Sequence, residues 1–295
     1  MSAGVAAGRT ARIEAQAKLN LFLRILSREP GGYHQLETLF QRIALADSVT
    51  VRTGGKGRSL DCTGADAGPV EENLAWRAAI AFGAAAGGPA NFHIEIEKRV
   101  PVGGGLGGGS ADAAAVLRAL NVLAETPLDG HALAAIAFSL GADVPYLLST
   151  HALALGSGRG ERLLPLEPLP AREVVLAVPP FGVSSADAFR WFDEQKASRH
   201  SGPRATLAAG RTFEWRTIAA LAANDLEGAV VAHHPDIGVL HDSLRKSGAL
   251  FAQMSGSGST VFGVFESGIG AVEVPGARII RTRTVERVAS VQLAS

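Results

Sequence analysis

The residues with the clearest chemical potential form a glycine-rich run, Gly103–Gly109, in which only Leu106 is not glycine. Glycine is costly in regular structure, so a dense run indicates a backbone that adopts unusual dihedral angles or approaches a ligand closely. An alternating strand, Phe92–Glu97, precedes this glycine loop, and residues 111–123 follow it with near-helical apolar spacing. Free N–H groups between a strand and a helix N-terminus suit a phosphate. The loop alone therefore predicts phosphate binding and no particular reaction.

Three interpretations of the glycine loop compete. A flexible linker is disfavoured, because linkers rarely lie between an amphipathic strand and a well-patterned helix. A dinucleotide-binding fold would use the G-x-G-x-x-G spacing of Gly103, Gly105 and Gly108. Its first strand would be continuously apolar, whereas charged residues alternate through Phe92–Glu97. A nucleoside triphosphate loop is the third possibility, but no Gly-Lys-Ser/Thr closes it as in a Walker A motif.

Several side chains outside the loop have two interpretations each. From the residues alone, Lys18 is an edge or solvent-facing strand residue and Asp143 is an N-cap or turn aspartate. Tyr33 and His34 follow a Gly-Gly turn and indicate a half-buried aromatic beside a surface histidine. Phe189 is typical of an ordinary core residue.

The elements that must position these residues begin with a β-rich segment from Ala11 to Thr53. Apolar stretches at 19–26 and 36–45 are separated by the turn signal Glu29-Pro30-Gly31-Gly32, and Ser48–Val51 predicts another strand. Helices are predicted at 73–86, 111–123, 132–139, 186–195, 218–231 and 237–247, and further strands at 174–178 and 260–265. Ser110 and Asp112 occupy positions suited to a helix cap and a first-turn carboxylate.

The order of these elements predicts an α+β fold, because runs of strands and helices occur without regular βαβ alternation. Five prolines between residues 163 and 180 indicate a boundary between two halves, 1–162 and 163–295.

Composition narrows the classes of partner. The chain has 295 residues, 47% of them hydrophobic, and a formal net charge of zero. Nucleic-acid or membrane-surface partners need a concentrated basic field, so neither is expected. Cys62 is the only cysteine, which excludes an internal disulfide and a cysteine-based zinc site. Residues 19–26 are too short to span a bilayer, and a cytoplasmic location is predicted.

Five sequence blocks resemble a known family. Residues 101–111 resemble the ATP-binding signature of the GHMP kinases. Three further blocks resemble its diphosphocytidyl-methylerythritol kinase branch: AQAKLNLFL at 15–23, GYHQLETLF at 32–40 and LGADVP at 140–145. A last block, MSGSGST at 254–260, resembles the third GHMP motif, and all five occur in the family's order. The Tyr33-His34 block points to this branch. Gln16 replaces a usual proline, and Ala111-Asp112 stands where some members have Ser-Asn.

The resemblance implies a two-domain GHMP kinase fold, with an N-terminal ribosomal S5-like domain, a C-terminal α/β-sandwich domain and an active site between them. It implies that Asp143 is the general base and that Lys18 lies beside it and polarises the substrate hydroxyl. Tyr33 would stack on a cytosine, His34 would bind its polar edge, and Asn20 would orient the substrate. Phe189 is a weaker candidate for the opposite face of the cytosine.

The same resemblance implies ATP and Mg²⁺ as cofactors. The residues expected to bind ATP are Pro101, Val102, Gly103, Gly104, Gly105, Leu106, Gly107, Gly108, Gly109, Ser110 and Ala111. The turn 255–259 would add donors. Ser110, then Asp112, are the first candidates for the metal.

The implied reaction is phosphorylation of the 2-hydroxyl of a cytidine diphosphate-linked methylerythritol by a monomer or weak homodimer. The alternatives are another GHMP kinase with a different small alcohol as substrate, and a non-catalytic nucleotide-binding module.

Overall fold

The computed structural model describes residues 8–294 except 66–67, 87–90, 196–213, 267, 271, 273 and 275. The elements of the first half are β1 Thr10–Arg28, β2 His34–Thr53, β3 Arg58–Thr63, α1 Leu74–Ala85, β4 Phe92–Glu97, α2 Gly108–Leu123, α3 Gly130–Leu140, α4 Val144–Leu148, β5 Leu153–Gly158 and β6 Arg162–Pro165. Those that follow are β7 Glu173–Val178, α5 Ser185–Glu194, α6 Trp215–Leu221, α7 Glu227–His233, α8 Asp236–Lys246, β8 Phe251–Met254, β9 Val261–Phe265, β10 Arg278–Arg283 and β11 Gln292–Ala294. Within this described part, no helix has the length and apolar content needed to cross a bilayer.

The first half is built on a long antiparallel hairpin of β1 and β2. The predicted turn joins them, and Gly32 adopts a φ of +85° there, which other residues rarely tolerate. The sheet order is β11-β1-β2-β4-β3, and β5 pairs with both β2 and β6. Helices α1 to α4 cover one face, where alanines of α2 and apolar residues of β2 and β4 form the first core.

The second half is a four-stranded antiparallel sheet in the order β10-β7-β9-β8. Helices α5, α7 and α8 pack on it through a second cluster that includes Ala188, Val230 and Leu240. A third cluster joins the halves, because Leu19 and Leu21 of β1 pack with Leu176 of β7 and Phe262 of β9. Strand β11 returns to β1, so the first sheet contains residues from both ends of the described chain.

Several predicted elements have different bounds. The strands predicted at 36–45 and 48–51 form one continuous strand, β2. The helix predicted at 218–231 is two helices, α6 and α7. The chain between them bonds elsewhere: the backbone of Leu23 pairs with Ala223 and Asp225, and Asn224 binds two carbonyls of the second half. These contacts remove the backbone from helical geometry.

Helix α2 begins three residues earlier than the predicted start at 111. Gly107, at φ +71°, is its N-cap residue, and no side chain caps the helix. The expectation that Ser110 and Asp112 supply a cap and a first-turn carboxylate is therefore wrong. Asp112 is buried and turns inward to Lys98.

Candidate active site

A cleft of about 690 Å³ lies between the two halves. It is lined by residues of β1 and β2, by residues 101–110, by the turn before α4 and by parts of the second half. The lining residues include Lys18, Asn20, Thr38, Lys98, Asp112, Asp143, Arg159 and Phe189. Ala111, the last residue of the predicted ATP-binding segment, instead packs in the first core.

Lys18 and Asp143 meet in this cleft, although 125 positions separate them in the sequence. Lys18 Nζ lies 3.3 Å from Asp143 Oδ2, and the lysine side chain is only 4% exposed. The aspartate is 33% exposed, so its carboxylate opens towards the cleft. A buried ammonium beside a half-open carboxylate can polarise a hydroxyl and accept its proton.

The local structure explains why Asp143 is free to do this. It occupies the N-cap position of α4 but accepts no capping hydrogen bond. The alternative role of a capping aspartate is therefore absent. Arg42 of β2 secures the other end of α4, because its guanidinium donates to the carbonyls of Tyr146 at 3.0 Å and Leu147 at 2.6 Å.

Asn20 continues the network from Lys18. Lys18 Nζ donates to Asn20 Oδ1 at 2.6 Å, and Asn20 Nδ2 donates to Thr38 Oγ1 at 2.8 Å. Thr38 then donates to the carbonyl of Phe22 at 2.7 Å. This chain fixes the amide orientation, since the asparagine oxygen must face the ammonium.

The carbonyls of the glycine loop are bound by three different parts of the chain. Val183 N donates to Gly103 O at 3.4 Å, and Thr260 N donates to Gly104 O at 3.2 Å. The Gly105 carbonyl accepts from Lys18 Nζ at 2.8 Å and from Ser255 Oγ at 3.0 Å. Lys18 N donates to the Leu106 carbonyl at 3.0 Å.

The N–H groups of the loop are consequently left for a ligand. Within the described chain, none of the N–H groups of residues 103–107 donates a hydrogen bond. The C=O of one residue and the N–H of the next belong to the same peptide and point in opposite directions. The bound carbonyls of residues 103–106 therefore leave the N–H groups of residues 104–107 facing away from those partners. Together with the N-terminus of α2, they form a site suited to phosphate oxygens.

Behind the start of α2 lies a buried triad that the sequence did not predict. Lys98 Nζ contacts Asp47 Oδ2 at 2.5 Å and Asp112 Oδ2 at 2.7 Å. Asp47 also accepts from the backbone N–H of Val100 at 2.8 Å. Burial, aided by the charge of Asp47, raises the pKa of Asp112 to about 7, although Lys98 opposes the rise. Two carboxylates thus share one ammonium.

Of the predicted base-binding residues, Phe189 lines the cleft, whereas Tyr33 and His34 are not among its lining residues. Tyr33 is exposed, and its ring carries the Arg159 guanidinium 3.7 Å from the centroid. His34 is buried, contrary to the surface histidine that its sequence position suggests. Its ring stacks on Phe189 at 4.8 Å, and Phe189 lines the cleft. Glu29 holds Arg159 through a 2.6 Å ion pair.

Comparison with known proteins decides the family. Residues 73–151 match the family described as GHMP kinases N terminal domain, and residues 207–274 match GHMP kinases C terminal. A 4-diphosphocytidyl-2-C-methyl-D-erythritol kinase from Pelotomaculum thermopropionicum is 43% identical over 85% of this chain and 87% of its own length. The kinase of the same name from Anaeromyxobacter sp. is 44% identical over 85% of this chain and 79% of its own. The chain belongs to this kinase family.

Solved structures agree with that assignment. A crystal structure of a 4-(cytidine 5'-diphospho)-2C-methyl-D-erythritol kinase superposes with a TM-score of 0.72, at 34% identity, over 92% of this chain and 98% of its own. A homoserine kinase from Cytophaga hutchinsonii has a TM-score of 0.69 at 18% identity, which shows the shared fold alone. The predicted two-domain α+β GHMP fold is confirmed. Family membership makes the chain an ATP-dependent small-molecule kinase.

Sequence reasoning missed several residues of the site. Asp47 and Lys98 carry no local signature, because 51 positions separate them and only the pairing of β2 with β4 brings them close. Arg159 lies in a turn between two short strands. Asp193 binds His34 from the far half of the chain. Residues that interact across such long sequence separations produce no periodic pattern from which the contact could be predicted.

Proposed function

We propose that the chain transfers the γ-phosphoryl group of ATP to the 2-hydroxyl of 4-diphosphocytidyl-2-C-methyl-D-erythritol, giving the 2-phosphate and ADP. This step belongs to the non-mevalonate route to isoprenoid precursors. The observation that carries the proposal is the Lys18–Asp143 pair, 3.3 Å apart beside the glycine loop. Relatives of that name, such as the one 43% identical over 85% of the chain, support the choice of substrate.

In the proposed mechanism Asp143 accepts the proton of the 2-hydroxyl group while the hydroxyl oxygen attacks the γ-phosphorus of ATP. The bond from that phosphorus to the β,γ-bridging oxygen breaks, and ADP leaves. Lys18 stabilises the charge that develops on the attacking oxygen and on the transferred group. The N–H groups of residues 103–107 hold the phosphate oxygens in line. Alignment and charge stabilisation supply most of the catalysis expected of phosphoryl transfer.

In the proposed complex, Tyr33 and Phe189 would contact the two faces of the cytosine, and His34 would contact its polar edge. Asn20 would orient the polyol, since its side chain already bonds to Lys18. Tyr33 is 57% exposed although Arg159 lies over one face of its ring, and this exposure supports the role because the remaining aromatic surface can stack on a base. Arg159, held over that ring, would offer a cation to the diphosphate.

The reaction also calls for Mg²⁺, which neutralises the transferred phosphoryl group. Among the described residues, no group of three or more His, Cys, Asp or Glu side chains could hold a metal. Such a cage is not required, because Mg²⁺ in kinases is bound mainly by phosphates, waters and one or two protein oxygens. Ser110 lines the cleft and fits this role. Asp112 fits poorly, since Lys98 lies 2.7 Å from its carboxylate.

The test is ADP release with the cytidine diphosphate substrate, comparing wild type with Asp143→Ala. Loss of a general base should reduce kcat at least about a hundredfold, with ATP affinity little changed. Asp129→Ala is the matched control, because Asp129 also stands at a helix start but caps α3 by accepting from Ala132 N at 2.8 Å. The control should lose about 1 kcal/mol of stability and keep its turnover.

Equal turnover in wild type and Asp143→Ala would remove Asp143 from the mechanism. Turnover of another small alcohol in preference to the cytidine substrate would favour a different GHMP kinase activity. ATP binding without any turnover would favour a binding module. The division into halves at 162, the cytoplasmic location and the monomer or weak homodimer remain predictions. Strand β6, which joins the first sheet, spans that division.

A further inference from the structure

His34 is held from two sides by a single helix of the other half of the protein. Its Nε2 lies 2.9 Å from Asp193 Oδ1, and one face of its ring stacks on Phe189. Phe189 and Asp193 are four residues apart on α5, so they share one face of that helix. Helix α5 therefore fixes both the edge of the His34 ring, through Asp193, and its face, through Phe189.

This contact determines where the imidazole proton lies. A carboxylate is an acceptor only, so the Nε2 that faces Asp193 must carry the proton. Arg28 Nε lies 3.4 Å from the second oxygen, Oδ2, and helps to orient the carboxylate. In a neutral ring the remaining nitrogen, Nδ1, is then an unprotonated acceptor.

Nδ1 is also open to a ligand. Among the residues that the structure describes, it makes no hydrogen bond. It is also absent from the side-chain atoms that are both unpaired and fully enclosed, so this nitrogen retains some exposed surface. His34 is not itself a lining residue of the cleft, but it stacks directly on Phe189, which is, so a base that displaces or extends past Phe189 can reach this acceptor.

We propose that Asp193 is a positioning residue that locks His34 with its proton on Nε2 and thereby makes the cleft select a base with an exocyclic amino group. This rests on the proposed function, in which His34 contacts the base. An amino group donates to Nδ1, whereas a carbonyl in its place would put two lone pairs against each other. Sites built to pair one polar group discriminate strongly against an analogue that cannot pair.

The first test needs no turnover. Two-bond ¹H–¹⁵N correlation spectra of the histidine rings report which nitrogen of His34 carries the proton. Wild type should show the Nε2–H form, and Asp193→Asn should show a mixture, because an amide can either donate to or accept from Nε2. A wild-type ring protonated on Nδ1, or on both nitrogens, would overturn the proposal.

The second test measures selectivity. The ratio of kcat/KM for the cytidine diphosphate substrate to that for its uridine counterpart should fall at least about tenfold in Asp193→Asn, with KM for ATP unchanged. Asp187→Asn is the matched control on α5, since Asp187 instead pairs with Arg190 at 2.6 Å on the surface. The control should keep the wild-type ratio.

The outcomes separate the two proposals. A wild-type ratio in Asp193→Asn, with active enzyme, overturns the role of Asp193 and leaves the kinase assignment intact. A wild type that does not phosphorylate the cytidine substrate overturns the proposed function itself. The spectra then still decide the tautomer of His34.

Discussion

Replacing Gly105 by alanine should separate two loops that interlock at the active site. Gly105 adopts a φ of +73°, and a Cβ there would lie 2.0 Å from the carbonyl oxygen of Ser255 and 2.9 Å from that of Gly258. Both neighbours are backbone atoms, so no side-chain rotation can relieve the clash. Either the glycine loop or the turn at 255–259 must move.

The loss of stability can be estimated from the contacts involved. A left-handed conformation costs an alanine about 1–2 kcal/mol. Separating the loops also removes the hydrogen bonds that the Gly105 carbonyl accepts from Ser255 Oγ and Lys18 Nζ. Such bonds contribute about 1 kcal/mol each, and more when the donor is charged. The free energy of unfolding should therefore fall by at least about 3 kcal/mol, a large part of the about 5–15 kcal/mol typical of a domain.

Guanidinium denaturation of Gly105→Ala and Gly109→Ala measures this difference. Gly109 lies in α2 with no positive φ, and a Cβ there would approach nothing closer than Leu74 Cδ1 at 3.9 Å. Its alanine should stabilise the protein by about 0.5–1 kcal/mol, since glycine is unfavourable within a helix. A Gly105→Ala midpoint equal to that of wild type would refute the interlock, and so would an equal loss in both variants.

Three further predictions follow from buried or lining groups. Because burial raises the pKa of Asp112 to about 7, its ionisation destabilises the fold as the pH rises from 4 to 7. The free energy of unfolding of Asp112→Asn, relative to that of wild type, should therefore rise by up to about 4 kcal/mol across that range. Denaturation at pH 4 and pH 8 that gives the same difference between variant and wild type would contradict this. Arg42→Met should lose about 3–5 kcal/mol in the same assay, because the carbonyls at the end of α4 lose a buried donor; a loss below about 1 kcal/mol would mean that they find other donors. Ser110→Ala should raise several-fold the Mg²⁺ concentration that gives half-maximal turnover, and an unchanged Mg²⁺ dependence would exclude Ser110 as a ligand.

The parts of the fold that the sequence predicted are those with local signals. The β1–β2 turn was predictable because Pro30-Gly31-Gly32 combines a fixed φ with a position that needs a positive one. The strand Phe92–Glu97 was predicted with its exact bounds, since strict alternation has one structural interpretation. The glycine loop indicated a phosphate site through its composition and its place between a strand and a helix, both of which are local properties of the chain.

The parts that could not be predicted depend on contacts between distant segments. The helix expected at 218–231 breaks because Asn224 binds the carbonyls of Met254 and Gly256. In the site, the residues around Asp143 alone favoured a capping role, and only the family resemblance predicted the contact with Lys18 that the structure shows. The inward turn of Asp112 likewise required Lys98, fourteen residues earlier, to be buried beside it.

The bound carbonyls of residues 103–106 change how the glycine loop should behave when a nucleotide arrives. A run of this composition, free in solution, would sample many conformations, and each binding event would have to overcome that entropy. Here four consecutive carbonyls are already engaged by strand, loop and side-chain donors. The conformational entropy of the loop is therefore lost during folding, when the two halves pack against each other. The phosphates then bind to a loop that is already ordered.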